Sequence, residues 1–206
     1  FQTEVLMGKV KNRWLIALSA VGIHLSIGSV YAYSVMTIPL NRLHGWLKSD
    51  VTFAFSIAIL FLGFSAAFLG PWVERMGPRN SGRLAAVFYS LGIIGSGLAV
   101  KYGSLPLFIL CYGVIGGIGL GVGYITPVST LVKWFPDRRG LATGMAIMGF
   151  GFAAMLFGPI MAKLFQLMDI WKVYILLGVV YFCLITCSSL YIAPPPKGWL
   201  PKGMRE

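Results

Sequence analysis

Six stretches of this chain, about 14–40, 52–73, 81–101, 105–134, 140–165 and 170–193, are apolar. Each is near or above the roughly 20 residues that a helix needs to cross the hydrocarbon of a bilayer. Lipid offers backbone amides no partners, so runs of this length satisfy their own N–H and C=O groups as helices, and the fold class is all-α. Composition agrees: 57% of residues are hydrophobic and 11% charged, far from the balance of a water-soluble domain. A net charge of +11 in a soluble chain would point to nucleic acid, but here the basic residues cluster where apolar runs end, as membrane topology requires. The expected surroundings are therefore a lipid bilayer, with no nucleic-acid partner. The first run is too long for the apolar core of a secretory leader and is read as a span. The last meets Pro-Pro-Pro in "APPPKGWLPKGMRE" and gives way to a basic tail.

Loop charge sets the expected orientation. Twelve of the seventeen Lys and Arg fall in the N-terminal tail, the 74–83 and 133–139 connections and the C-terminal tail. Since cytoplasmic flanks carry the positive excess, both termini are expected in the cytoplasm, with the chain as a multi-pass protein of the cell (inner) membrane. Well inside the runs there is no Asp, Glu, Lys or Arg, whose burial in lipid is costly and usually functional. His24 is the one embedded group that titrates near neutral pH; it is read first as a hydrogen-bonded link between helices and second as a proton relay. Cys111, Cys183 and Cys187 all fall in apolar runs and are expected to be buried packing thiols. No metal site and no cofactor is expected. Glycines four apart, Gly113, Gly117 and Gly121, with Gly119 and Gly123 as a second line, let helix backbones approach closely, as a static seam or a sliding one.

Two motifs narrow the reading. "GPWVERMGPR", residues 70–79, between the second and third runs, matches Gly-x-x-x-Asp-Arg-x-Gly-x-Arg at Gly70, Arg75, Gly77 and Arg79, with Glu74 in the acidic position. A tight glycine turn there would bring an acid and basic residues against neighbouring helix ends as a breakable latch. "GVGYITPVSTLVKWFPDRRGLATGMAIMGFG", residues 121–151, adds Tyr124, the core Trp134–Ala142 and a small-residue span; "NRW" stands at 12–14. With these motifs the chain resembles, over nearly its whole length, the major facilitator superfamily and within it the oxalate/formate antiporters, kin of the proton-linked monocarboxylate transporters.

The resemblance implies a 3+3 inverted repeat of helices, the N-terminal half of a twelve-span fold, with substrate held near the midplane between two halves. It divides the chain into a six-helix transporter domain, 1–193, and the start of a central cytoplasmic loop, 194–206, and it implies a C-terminal six-helix half as partner. The first and fourth spans become equivalent, and both carry Gly-x-x-Tyr, Gly28 to Tyr31 and Gly121 to Tyr124. In the family, tyrosines at these two positions line the substrate cavity, where a phenol donates to a carboxylate. Val30 and Ile59, where oxalate carriers place glutamines, and Phe150 complete the implied substrate set. Aliphatic side chains in place of amides would leave a second carboxylate unpaired. The implied substrate is therefore a small monocarboxylate such as lactate or pyruvate, moved by alternating access with protons as coupling partner. Oxalate/formate-type exchange and a non-transporting assembly subunit are the alternatives. The embedded cation that an anion needs is implied in the other half.

Other classes fit poorly. A rhomboid-type protease would pair the serine of "GFSA", 63–66, with a later histidine, and none follows His44. Paired Asn-Pro-Ala half-helices and filter-like loops are absent from the sequence. The chain is not expected to be an enzyme.

Overall fold

The computed structural model describes residues 10–201. It contains six helices long and apolar enough to cross a membrane: α1 (Arg13–His44), α2 (Lys48–Met76), α3 (Pro78–Tyr102), α4 (Leu105–Trp134), α5 (Pro136–Leu167) and α6 (Ile170–Tyr191). Each coincides with one of the six apolar runs and continues past most of their ends until a cap stops it. Asn12 starts α1 by accepting from the Trp14 amide at 2.9 Å, and α3 ends at Gly103, whose φ of 67° suits a residue without Cβ. Three helices are locally irregular: α1 tightens to a 3-10 turn over Gly28–Tyr33, α4 widens to a π stretch over Ile109–Ile115, and α5 opens with a 3-10 turn over Pro136–Arg138.

The core is organised around α1 and α4. Ile16, Ala20, Ile23 and Ile27, spaced four, three and four apart, are fully buried along one face of α1. In α4 the two glycine lines serve two neighbours. A Cβ on Gly113, Gly117 or Gly121 would lie 2.7, 2.7 or 2.5 Å from side chains of Ile57, Phe61 and Ser65, all on α2. Gly119 instead meets Tyr89 of α3, and Gly123 meets Ala85 of α3 and Ile27 of α1. Backbone contact this close is how helices cohere in lipid, where burial of apolar surface gives no advantage over the acyl chains. By contrast α2 is the least buried of the six helices and presents Phe53, Leu60, Phe64 and Phe68 outward.

Two expectations are corrected here. The segment 70–79 is not a loop: Gly70 and Pro71 lie inside α2, which runs to Met76, and the chain turns only at Gly77 (φ 80°), with Pro78 as the first residue of α3. A proline costs little in a membrane helix whose neighbours satisfy the freed carbonyl, whereas positive φ followed by Pro ends one helix and starts the next. Of the cysteines, only Cys111 is buried; Cys183 and Cys187, one turn apart on α6, are exposed on the outer face.

The basic flanks assemble at one end of the bundle. Arg13 pairs with Asp137 at 3.1 Å to each carboxylate oxygen, Lys133 reaches Glu74 at 3.4 Å, and Lys11 donates to the Tyr191 carbonyl at 2.7 Å. Burial holds the Lys11 ammonium below the usual lysine range, and the charge of Arg79 adds to it. At the opposite end His44 bonds the Val100 carbonyl and Lys101 lies over the Trp171 ring.

Candidate functional site

Gly28 and Gly121 explain where their tyrosines stand. Gly28 seats α1 directly on α5, so that a Cβ would collide with the Phe150 carbonyl and lie 2.8 Å from Ala153; Gly121 seats α4 on Ser65 and Leu62 of α2. One turn later on each helix, Tyr31 and Tyr124 emerge at the same pocket, of about 390 Å³ and open on one side, with Leu62, Ile147, Phe150 and Gly151 as the other walls. That is within the range of small-ligand sites. Phe150 is the hub: its ring packs edge-on at 5.2 Å from Tyr31, 5.6 Å from Tyr124 and 5.5 Å from His24. Phe55 of α2 stacks on Tyr33 at 4.1 Å and meets Tyr31 edge-on at 5.8 Å.

The phenols of Tyr31 and Tyr124 differ from those of Tyr89, Tyr112 and Tyr174, which are paired, and from that of Tyr181, which is unpaired but sealed inside the bundle, away from any open pocket. Hydrogen bonds engage Tyr89 (Ser29 Oγ, 2.9 Å), Tyr112 (Val30 carbonyl, 3.3 Å) and Tyr174 (Met36 Sδ, 2.6 Å). Among the described residues neither Tyr31 nor Tyr124 has a partner for its hydroxyl. A donor left unpaired at an apolar wall is prepared for an incoming acceptor.

The structure separates the five residues expected at the site. Tyr31, Tyr124 and Phe150 meet at the pocket. Ile59 is half-buried on α2, one turn after Phe55 and one before Leu62, on the face that fronts the tyrosines. Val30 is turned the other way, buried beside Tyr89, Tyr112 and Tyr174 inside the half. In the 3-10 turn that carries both, neighbouring residues point about 120° apart, so Tyr31 and Val30 face different sides. Phe55, Leu62 and Ile147 were not anticipated; the first two follow from Ile59 by helical spacing alone. His24 is hydrogen-bonded between helices, as its first reading had it, with Nδ1 2.7 Å from the Ala146 carbonyl and Nε2 3.2 Å from that of Tyr124. A larger groove, of about 490 Å³, opens beside Val35, Arg42 and Phe165, but it lies at helix ends, away from this cluster.

At the charged end the structure joins motifs far apart in sequence. Arg13 and Trp14 of "NRW" meet Asp137 and Phe135 of "WFPDRRG", through the ion pair and an edge-on ring contact at 5.2 Å. Glu74 finds Lys133, while Arg75 and Arg79 make no ion pair among the described residues. Gly70 sits in α2, near Ile125 of α4, and Gly77 supplies the turn.

Residues 17–206 match the family model described as Major Facilitator Superfamily. The chain belongs to the major facilitator superfamily. Among curated relatives, it is 26% identical over 195 residues to the oxalate:formate antiporter of Oxalobacter formigenes, covering 94% of this chain and 46% of that protein. It is 37% identical over 90 residues to apicoplast pyruvate carrier 1 of Toxoplasma gondii, covering 43% of this chain and 16% of the carrier. Its fold is similar to the inward-open xylose transporter XylE from E. coli, with a TM-score of 0.74 at 19% identity over 90% of this chain and 49% of that one. The chain spans about half the length of the curated relatives it matches along most of its own length. The expected architecture, an N-terminal six-helix half of a major facilitator fold in a multi-pass membrane protein, is thus borne out, as is the resemblance to oxalate/formate antiporters and monocarboxylate transporters.

Proposed function

We propose that this half belongs to a secondary transporter for a small monocarboxylate such as lactate or pyruvate, working by alternating access with a second six-helix half. The observation that carries the reading is the pair of unpartnered phenols, Tyr31 and Tyr124, at the mouth of an otherwise apolar pocket. A carboxylate accepts from the phenols and its short alkyl end meets Leu62, Ile147 and Phe150, with Ile59 close by on α2. A second carboxylate would have no donor on these walls and would lose its hydration uncompensated. Similarity to the oxalate:formate antiporter favours a second reading, exchange of small anions at the same pocket. The two are separated by competition in the complete transporter: labelled lactate uptake should be displaced by pyruvate well before oxalate. Equal competition by oxalate would overturn the monocarboxylate assignment and leave the exchanger.

The same reading covers the ends. The end that gathers Lys11, Arg79, Lys133 and Arg138 is the cytoplasmic one, in the cell (inner) membrane, with 194–206 entering the central loop. Gly70, Glu74, Arg75, Gly77 and Arg79 form a conformational latch there: Glu74 holds α2 to α4 through Lys133, and the arginines remain to engage the second half as the cytoplasmic side closes. Replacing Glu74 and Arg79 with Ala should lower transport severalfold while substrate still binds. Unchanged uptake in that double variant would count against the latch.

A further inference from the structure

His24 is fully buried, and both of its ring nitrogens face carbonyl oxygens. A carbonyl only accepts, and a neutral imidazole carries a single N–H. In the neutral ring the proton belongs on Nδ1, which makes the 2.7 Å bond to Ala146 of α5; Nε2 then turns its lone pair toward the Tyr124 carbonyl of α4 at 3.2 Å. Only the imidazolium donates to both. This geometry asks for a second proton, and burial in the bundle opposes it.

The charged form needs a nearby anion, and the candidate pocket lies just beyond the ring. His24 stacks on Tyr124 at 5.5 Å, with planes 14° apart, and meets Phe150 edge-on; both rings are pocket walls. The titratable group facing it from α4 is Tyr124, and Tyr31 lies beyond Phe150. From α5 it meets Ala146, Gly149 and Phe150, and the charged residues of α5 and α6 stand toward the helix ends. Among the described residues the ring thus has no competing carboxylate or cation close by.

We propose that His24 is the proton-binding site of this half. An anion at Tyr31 and Tyr124 stabilises the imidazolium behind the pocket wall, and the imidazolium in turn holds α1, α4 and α5 together by donating to Ala146 and Tyr124. One proton is taken from water on the side to which the cavity is open as the anion binds, adds to Nε2, and returns to water when the anion leaves. Gly149, where a Cβ would stand 3.3 Å from the His24 Cβ, marks the seam at which α1 and α5 part to admit that exchange. The coupling rests on the carboxylate reading of the pocket; the double donation rests on geometry alone.

The two parts are tested together by ring ¹⁵N NMR of the complete transporter labelled at histidine, with the His24 signals identified by their loss in His24→Gln. Spectra are recorded between pH 5.5 and 8.5, without anion and with saturating lactate, and lactate binding to both proteins is measured separately by calorimetry. The expected result is a ring protonated on both nitrogens at the acid end, with a titration midpoint about one pH unit higher when lactate is bound. By linkage, lactate should then bind about tenfold more tightly to the protonated form, and His24→Gln should bind it with little dependence on pH. A ring that keeps one neutral tautomer throughout would overturn the proton site. A midpoint indifferent to bound lactate would overturn the coupling. Failure of lactate, pyruvate, formate and oxalate alike to bind the parent protein would remove the carboxylate reading and the coupling with it, and the anion-free titration would still decide the double donation.

Discussion

Two groups of tyrosines lie within one helix bundle and have opposite surroundings. Tyr89, Tyr112 and Tyr174 are sealed inside the half, each bonded to a neighbouring oxygen or sulfur atom. Tyr31 and Tyr124, on the pocket side of α1 and α4, keep hydroxyls that no described residue satisfies, and Tyr31 is 42% exposed. The same side chain thus acts as mortar in one place and as an open donor in another. What separates the roles is an unpaired hydroxyl that also faces an open pocket: Tyr181 is unpaired too, but it is sealed beside Tyr89, Tyr112 and Tyr174.

The largest effect should come from removing mortar. Tyr174→Ala deletes a fully buried ring packed between Phe108 and Phe165, and should destabilise the transporter by about 3–5 kcal/mol, read as a drop in thermal or denaturant midpoint. Tyr31→Ala should move that midpoint little; an equal loss at both positions would erase the distinction between the groups. An intermediate effect separates binding from folding. Tyr124→Phe should weaken lactate about ten- to a hundredfold, the value of one charge-assisted hydrogen bond of about 1.5–3 kcal/mol, with stability unchanged. Tyr89→Phe should do the reverse, costing about 1 kcal/mol of stability and leaving affinity alone. The smallest effect sharpens the pocket side: Ile59→Gln adds an amide next to Phe55 and Leu62, and should raise oxalate affinity relative to lactate by about tenfold, the value of one added hydrogen bond to a charged group. Unaltered selectivity would place Ile59 outside the pocket.

Much of this was legible in the sequence, and the divide has a physical cause. Length and hydropathy locate α1 to α6 because a bilayer demands about 20 apolar residues whatever the helix packs against. Gly28 and Gly121 flag Tyr31 and Tyr124 because backbone contact requires glycine and the tyrosine follows one turn on. Val30 lies away from the pocket because adjacency in sequence is not adjacency in space: in a helix the neighbour of a pocket residue usually faces elsewhere. The Tyr89, Tyr112 and Tyr174 cluster escaped notice because each comes from a different helix, and nothing local in "AVFYSLG" or "CYGVIG" announces which hydroxyl will find a partner. The pairing of Arg13 with Asp137 was hidden in the same way, although opposite charges in two otherwise aromatic motifs hinted at it.

The Lys11 ammonium on the Tyr191 carbonyl, at 2.7 Å, ties the beginning of the bundle to the end of its last helix. Considered in the order of synthesis, this means the ribosome makes α1 first and its closing partner last. Gly22 of α1 rests against Ser188 of α6, and the faces carrying Ile16, Ala20, Ile23 and His24 are shared with α4, α5 and α6. The carbonyl partners of His24 arrive with α4 and α5, but until the sixth helix leaves the translocon α1 and the residues just before it still lack the contacts of Gly22 with Ser188 and of Lys11 with Tyr191. The closing of this half is therefore a late event in biogenesis, and lesions in α6 should be met by membrane quality control as failures of α1.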